Sequence, residues 1–156
     1  MTIRQPIITV AGHVDHGKCV AGDTIIPLVD GTMKKAQELY DENVDTIKLK
    51  KIDDGFLQDI TDKNIRIFSF NGKNIEPASI SHIWKRQAKR LIEVKTSSGD
   101  IIKTTPEHPF FVFSLEGIRT RKAEDLKEND YIALPKKLPF QSQNIKDKII
   151  SRLKNL

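Results

Sequence analysis

Apolar residues along this chain come in short β-branched runs closed by turn residues. Residues 24–29 lead into Asp30-Gly31, and residues 65–70 nearly alternate before Asn71-Gly72. Residues 90–96 pass through Ser97-Ser98-Gly99-Asp100 into 101–104, and 110–113 run to Glu116-Gly117 and on into 118–121. A β-rich run, a glycine-containing turn and a second run signal a hairpin, so the pattern predicts four of them. Residues 34–40 and 123–126 read as short helical turns, and residues 79–85, with His82 among them, as a strand in which that histidine is structural. The charged, weakly patterned residues 41–63 read as a long loop or a hairpin extension. With no internal repeat or low-complexity tract, the expected fold class is mostly β.

Composition narrows the class. The 156 residues include ten aromatics (seven Phe, two Tyr, one Trp) and 21 isoleucines, enough bulk for one domain with a real core rather than a disordered tail. The single cysteine cannot close an intrachain disulfide or, without further ligands, a zinc site; it suggests a reducing compartment or a thiol with a task. No apolar run approaches the roughly 18 residues of a membrane span, and the first residues lack the apolar core of a signal peptide. The reading is a cytoplasmic protein with no membrane partner. A net charge of +5 and a pI near 9.3 are compatible with nucleic acid. The basic residues are mixed with acids, however, except in 136–154, where six Lys and Arg face one Asp. Nucleic-acid binding stays open on charge alone.

The first segment carrying chemistry is Pro6-Ile7-Ile8-Thr9-Val10-Ala11-Gly12-His13-Val14-Asp15-His16-Gly17-Lys18, a β-branched run opening into Gly-x-x-x-x-Gly-Lys. In such a loop the glycines let backbone N–H groups wrap phosphates, the lysine adds charge, and a following hydroxyl binds magnesium at a helix N-terminus. Here the next residue is Cys19, and residues 20–27 read as loop and strand where the cradle needs a helix. Gly12, His13, Val14, Asp15, His16, Gly17 and Lys18 resemble the first nucleotide-binding motif of translational GTPases. The wording is closest to the start of the archaeal and eukaryotic-type factors related to bacterial initiation factor two. Only 18 residues carry this resemblance, and no Asp-x-x-Gly or Asn-Lys-x-Asp motif follows. Specific guanine binding by this chain alone is therefore not expected, and neither His13 nor His16 is assigned catalysis or a metal.

After the break, Thr105-Pro106-Glu107-His108 ends a predicted strand, with a proline placed to preset a turn that lets Thr105 and His108 point to one place. On its own a Thr-x-x-His is more often a capped turn, and a lone cysteine is more often a small buried hydrophobe. The surrounding sequence changes that balance. Cys19-Val20-Ala21-Gly22-Asp23-Thr24 resembles the opening motif of inteins, and Gly99 followed by Thr105-x-x-His108-Pro109-Phe110-Phe111 resembles their second splicing motif. Ser69-Phe70-Asn71-Gly72 and the stretch 123–135 also look like intein sequence. Insertion after Lys18 would explain the missing hydroxyl, which would follow the intein's far end.

The resemblance implies a division into a host segment 1–18, a splicing region 19–135 of the horseshoe-like Hint fold, and a basic tail 136–156 that could open a linker or an endonuclease. It implies that Cys19 attacks the carbonyl of Lys18, that His108 assists the departing nitrogen, and that Thr105 helps polarise the carbonyl. No cofactor or metal is implied for that step; GTP and magnesium belong only to the complete host, as do the ribosome and initiator tRNA. Family members end with a His-Asn pair, whereas Lys154-Asn155-Leu156 does not match it. The chain is thus expected to be the N-terminal splicing half, lacking the last strands and exposing apolar surface, with its partner either a downstream part of the same frame or a separate C-terminal half. Enzyme status stays uncertain, since splicing is a single-turnover self-reaction. Two rivals remain: an intact GTP-binding factor, and a non-catalytic basic β-domain binding nucleic acid.

Overall fold

The computed structural model describes residues 6–11, 19–52 and 55–140, the first of these stretches as backbone. The strands in chain order open with β1 (Pro6–Ala11), β2 (Val20–Ala21), β3 (Ile25–Pro27) and β4 (Met33–Lys35), followed by the helix α1 (Ala36–Asn43). Next come β5 (Lys50–Ile52), β6 (Gly55–Asp59), β7 (Arg66–Phe70), β8 (Ile75–Ser79) and β9 (His82–Gln87). The last five are β10 (Ile92–Lys95), β11 (Ile101–Thr104), β12 (Pro109–Ser114), β13 (Gly117–Lys122) and β14 (Tyr131–Ile132). The mostly β expectation is met.

All four expected hairpins are present: β3–β4, β7–β8, β10–β11 and β12–β13. Their turns depend on backbone that most residues avoid. Gly72 and Gly99 sit at φ 95° and 93°, where an L side chain would be strained, which is why these hairpins turn where the sequence places glycine.

The segment 41–63 takes the hairpin alternative and not the loop. β5 and β6 pair, and β6 joins the main sheet along β9 from Gly55↔Arg86 to Asp59↔His82. The helix lies later than the expected 34–40, because Met33–Lys35 is taken up by β3 with Ile25 opposite Lys35. The Lys35 N–H then donates to the Glu38 carboxylate at 3.0 Å, satisfying one donor at the helix start. The strand expected over 79–85 is broken at Ile80. That residue is fully buried and its N–H donates to the Ile65 carbonyl at 2.8 Å, while β9 starts two residues later in a different sheet.

A seven-stranded sheet runs β10-β11-β2-β1-β9-β6-β5, beside a three-stranded sheet β13-β12-β14 and the ribbons β3-β4 and β7-β8. α1 presents Ala36, Leu39 and Tyr40, spaced to share one face, to Leu28, Ile60, Ile80 and Ile83. The Tyr40 hydroxyl is pushed above its ordinary pKa, first by burial and then by Asp41. Phe70 meets Phe111 edge to face at 5.0 Å, and Phe68 meets Phe140 at 5.2 Å, so the β7–β8 ribbon is pinned to the three-stranded sheet and to the start of the tail. That three-stranded sheet also carries the exposed apolar side chains Phe113 and Tyr131, with Leu115 at its β12–β13 turn. The remainder of the tail, with the helically spaced Ile145, Ile149, Ile150 and Leu153, lies outside the described residues.

Candidate splice-junction site

Val20 stands opposite Thr104 in the antiparallel pairing of β2 with β11. Strand register alternates neighbours predictably, so the residue before Val20 meets the residue after Thr104. Those two are Cys19 and Thr105. The Cys19 N–H donates to the Thr105 hydroxyl oxygen at 3.2 Å, and the Thr105 N–H donates to the Cys19 carbonyl at 3.0 Å. The Thr105 hydroxyl also reaches the Cys19 carbonyl, at 3.5 Å. Cys19 is 0% exposed and Thr105 7%. Both are held in a dry environment where such polar contacts are strong.

Thr105 to His108 forms a closed turn, with the His108 N–H donating to the Thr105 carbonyl at 3.1 Å. Two further bonds brace it from beyond β13: the Ala123 N–H donates to the His108 carbonyl at 2.8 Å and the Glu124 N–H to the Pro106 carbonyl at 3.0 Å. The His108 ring lies edge-on to Phe110, centroids 5.5 Å apart. Ala123 and Glu124 support the site in a way the sequence reading missed. The short helical turn expected over 123–126 is present as a single 3-10 turn, Ala123–Asp125, but nothing in its spacing signals that its first amides point back across the chain. The Arg121 guanidinium, just before this bracing segment, holds the Asp130 carboxylate beyond it at 2.5 Å.

Lys18 and the loop residues Gly12, His13, Val14, Asp15, His16 and Gly17 lie outside the described residues. Their flanks still test the phosphate cradle. Ile8 of β1 stands opposite Val20 of β2, so the chain leaves the loop as an antiparallel strand. A phosphate loop needs a helix N-terminus at that point. Among the described residues the chain continues after Cys19 as the strand β2 and not as a helix, and no step is assigned to GTP or magnesium in this chain. His82 opens β9 between Ala11 and Asp59, away from Cys19 in the sheet order. Among the described residues no group of three or more His, Cys, Asp or Glu could hold a metal ion, and no helix is long and apolar enough to cross a membrane.

A β-rich domain that buries its one thiol at a strand start, pinned through both backbone groups to a Thr-x-x-His turn, has the build of a self-processing domain. The intein splicing domain family matches residues 26–155, and the chain belongs to that family. The crystal structure of the PabCDC21-1 intein superposes with a TM-score of 0.64 at 30% identity, covering 77% of this chain and 84% of that one. Elongation factor 2 of Methanopyrus kandleri is 34% identical over 152 residues, 94% of this chain. The probable translation initiation factor IF-2 of Pyrococcus abyssi is 35% identical over 136 residues, 86% of this chain. The chain spans 12% and 13% of the lengths of those two relatives. An intein splicing domain in the context of an archaeal translation factor is what these likenesses support.

Proposed function

We propose that Cys19 carries out the first step of autocatalytic protein splicing at the Lys18–Cys19 bond. The Cys19 sulfur adds to the Lys18 carbonyl carbon, the carbon–nitrogen bond breaks, and the thiol proton ends on the freed Cys19 amine. An amide becomes a thioester, and no cofactor takes part. The carrying observation is the 3.2 Å contact between the Cys19 nitrogen and the Thr105 hydroxyl. That nitrogen is the leaving atom of the reaction, so the hydroxyl is already on the group whose proton balance must change. His108, at the other end of the same turn, is the general acid or base that supplies and removes protons there. The resemblance gave the nitrogen to His108 and the Lys18 carbonyl to Thr105; the geometry supports giving Thr105 a share of the nitrogen.

In this reading residues 1–18 are the start of an initiation-factor-two-type host, residues 19–135 are the splicing region, and 136–156 begin a linker or a further domain. The partner is the remaining C-terminal part of the intein, from the same frame or a separate chain. The ligated host would be the GTPase that meets GTP, magnesium, the ribosome and initiator tRNA. The test is the intact mass of the chain incubated with excess thiol, beside Cys19→Ala. Thiol-dependent release of residues 1–18 only when Cys19 is present is the expected result. Equal cleavage in both proteins, or none in either even after a cognate C-terminal part is added, would overturn the assignment.

A further inference from the structure

The strand β1 precedes the junction, yet it lies inside the splicing domain's own sheet. In the order β10-β11-β2-β1-β9-β6-β5 it is the one link, among the described residues, between the trio ending at β2 and the trio beginning at β9. Six consecutive positions pair with β9, from Pro6↔Gln87 to Ala11↔His82, and two pair with β2, Ile7↔Ala21 and Ile8↔Val20. Without β1, β9 and β2 would each present an open row of N–H and C=O groups, and buried backbone groups do not stay unpaired.

The register ties this strand to the chemistry. Val20 stands between Ile8 of β1 and Thr104 of β11. The three strands therefore share one row, and Cys19 and Thr105 follow directly beside it. A slip of β1 by one residue would place a different residue opposite Val20, and so change the number of residues that must span from that row to Cys19.

We infer that the intein takes up residues 6–11 of its host as a strand by main-chain β-addition, and that this docked host strand positions the Lys18–Cys19 bond for cleavage. The inference rests on the reading of residues 1–18 as host sequence. Its ligand is an extended peptide segment upstream of the junction, recognised through backbone hydrogen bonds and therefore tolerant of side-chain change but not of residues that cannot join a ladder. Pro6 is compatible because it is the first residue of the strand; a proline at Ile8, which has strands on both sides, is not. The same strand cannot serve a phosphate cradle while it is paired here, so the precursor keeps this host segment out of a nucleotide fold until it is released.

Hydrogen exchange on the full chain carrying Cys19→Ala tests the docking without any cleavage chemistry. Amides of residues 7–11 are expected to be protected together with those of β9. Ile8→Pro should remove that protection in both strands while the β12–β13 hairpin stays protected; Ile8→Val should leave all of it. In the chain retaining Cys19, Ile8→Pro should also slow thiol-dependent release of residues 1–18 by at least about tenfold, the scale of a lost ladder position. Unprotected amides at 7–11 in the unsubstituted strand, or β9 protection and release rate unchanged by Ile8→Pro, would overturn the inference. A parent that shows protected β1 amides but no thiol-dependent release would instead count against the acyl shift alone.

Discussion

Cys19 and Thr105, 86 positions apart in the chain, hold each other through both backbone groups of Cys19: its N–H donates to the threonine hydroxyl at 3.2 Å and its carbonyl accepts from the threonine N–H at 3.0 Å. The second bond continues the β2–β11 ladder and would survive any residue at 105 other than proline. The first depends on the hydroxyl. The pair thus separates a structural contact from a chemical one in the same two residues.

Removing only the hydroxyl should therefore spare the fold and cost the reaction. Thr105→Val is expected to slow thiol-dependent release of residues 1–18 by roughly a hundredfold, within the range for losing one positioned catalytic group. Thr105→Ser should keep most of the rate. Intact-mass time courses with circular dichroism on each variant check this, and a valine variant as fast as the parent would remove Thr105 from the mechanism.

The neighbouring threonine is expected to behave in the opposite way. Thr104 is fully buried and its hydroxyl has no hydrogen-bond partner among the described residues. An unsatisfied buried hydroxyl is destabilising, and an apolar group of the same shape relieves it. Thr104→Val should raise stability by about 1 kcal/mol, read as a higher urea midpoint at unchanged slope. A loss of stability there would mean the hydroxyl has a partner that matters.

How far the sequence revealed this arrangement depends on the range of the forces involved. The four hairpins were legible because each is fixed by a few neighbouring residues, as at Asn71-Gly72 and Ser97 to Asp100. The helix boundary was misplaced because Met33–Lys35 has a helical pattern locally but pairs with β3. The strand β6 was hidden among charges in 41–63, since its partner β9 lies more than twenty residues further on. Cys19 and Thr105 were named from the resemblance to splicing motifs. That Thr105 lies on the Cys19 nitrogen, and that Ala123 and Glu124 brace the turn, are consequences of register that no local pattern encodes.

Gly55 offers a test of the β6–β9 pairing that holds β9 beside β1 in the main sheet. A Cβ placed there would come within 2.1 Å of the Lys85 carbonyl oxygen and 3.0 Å of the Arg86 Cα, both backbone atoms that cannot step aside. Gly55→Ala should destabilise the chain by about 1–3 kcal/mol, the usual cost of overpacking, and raise exchange in β6 and β9. A neutral substitution would show that β6 is free to shift along β9.

The acid response should be set in part by two carboxylates that take no part in the proposed chemistry. The Asp59 carboxylate accepts from the Thr61 hydroxyl at 2.7 Å and the Thr61 N–H at 2.8 Å, and Asp130 accepts from the Lys127 N–H at 2.7 Å and from Arg121. These bonds hold both carboxyls below the ordinary aspartate value of 3.8, chiefly through the Thr61 hydroxyl for Asp59 and the Lys127 N–H for Asp130. With the folded pKa depressed, the unfolded chain binds protons first as the pH falls, so acid favours unfolding. The stabilisation is complete above the unfolded value and is lost as the pH drops through the folded one. Urea midpoints should therefore decline from about pH 5 to about pH 3, and the slope of that decline should flatten in Asp59→Asn/Asp130→Asn. The Asn pair should also be less stable than the parent near neutral pH and approach it in acid. An unchanged slope in the double variant would assign the acid sensitivity to other carboxylates.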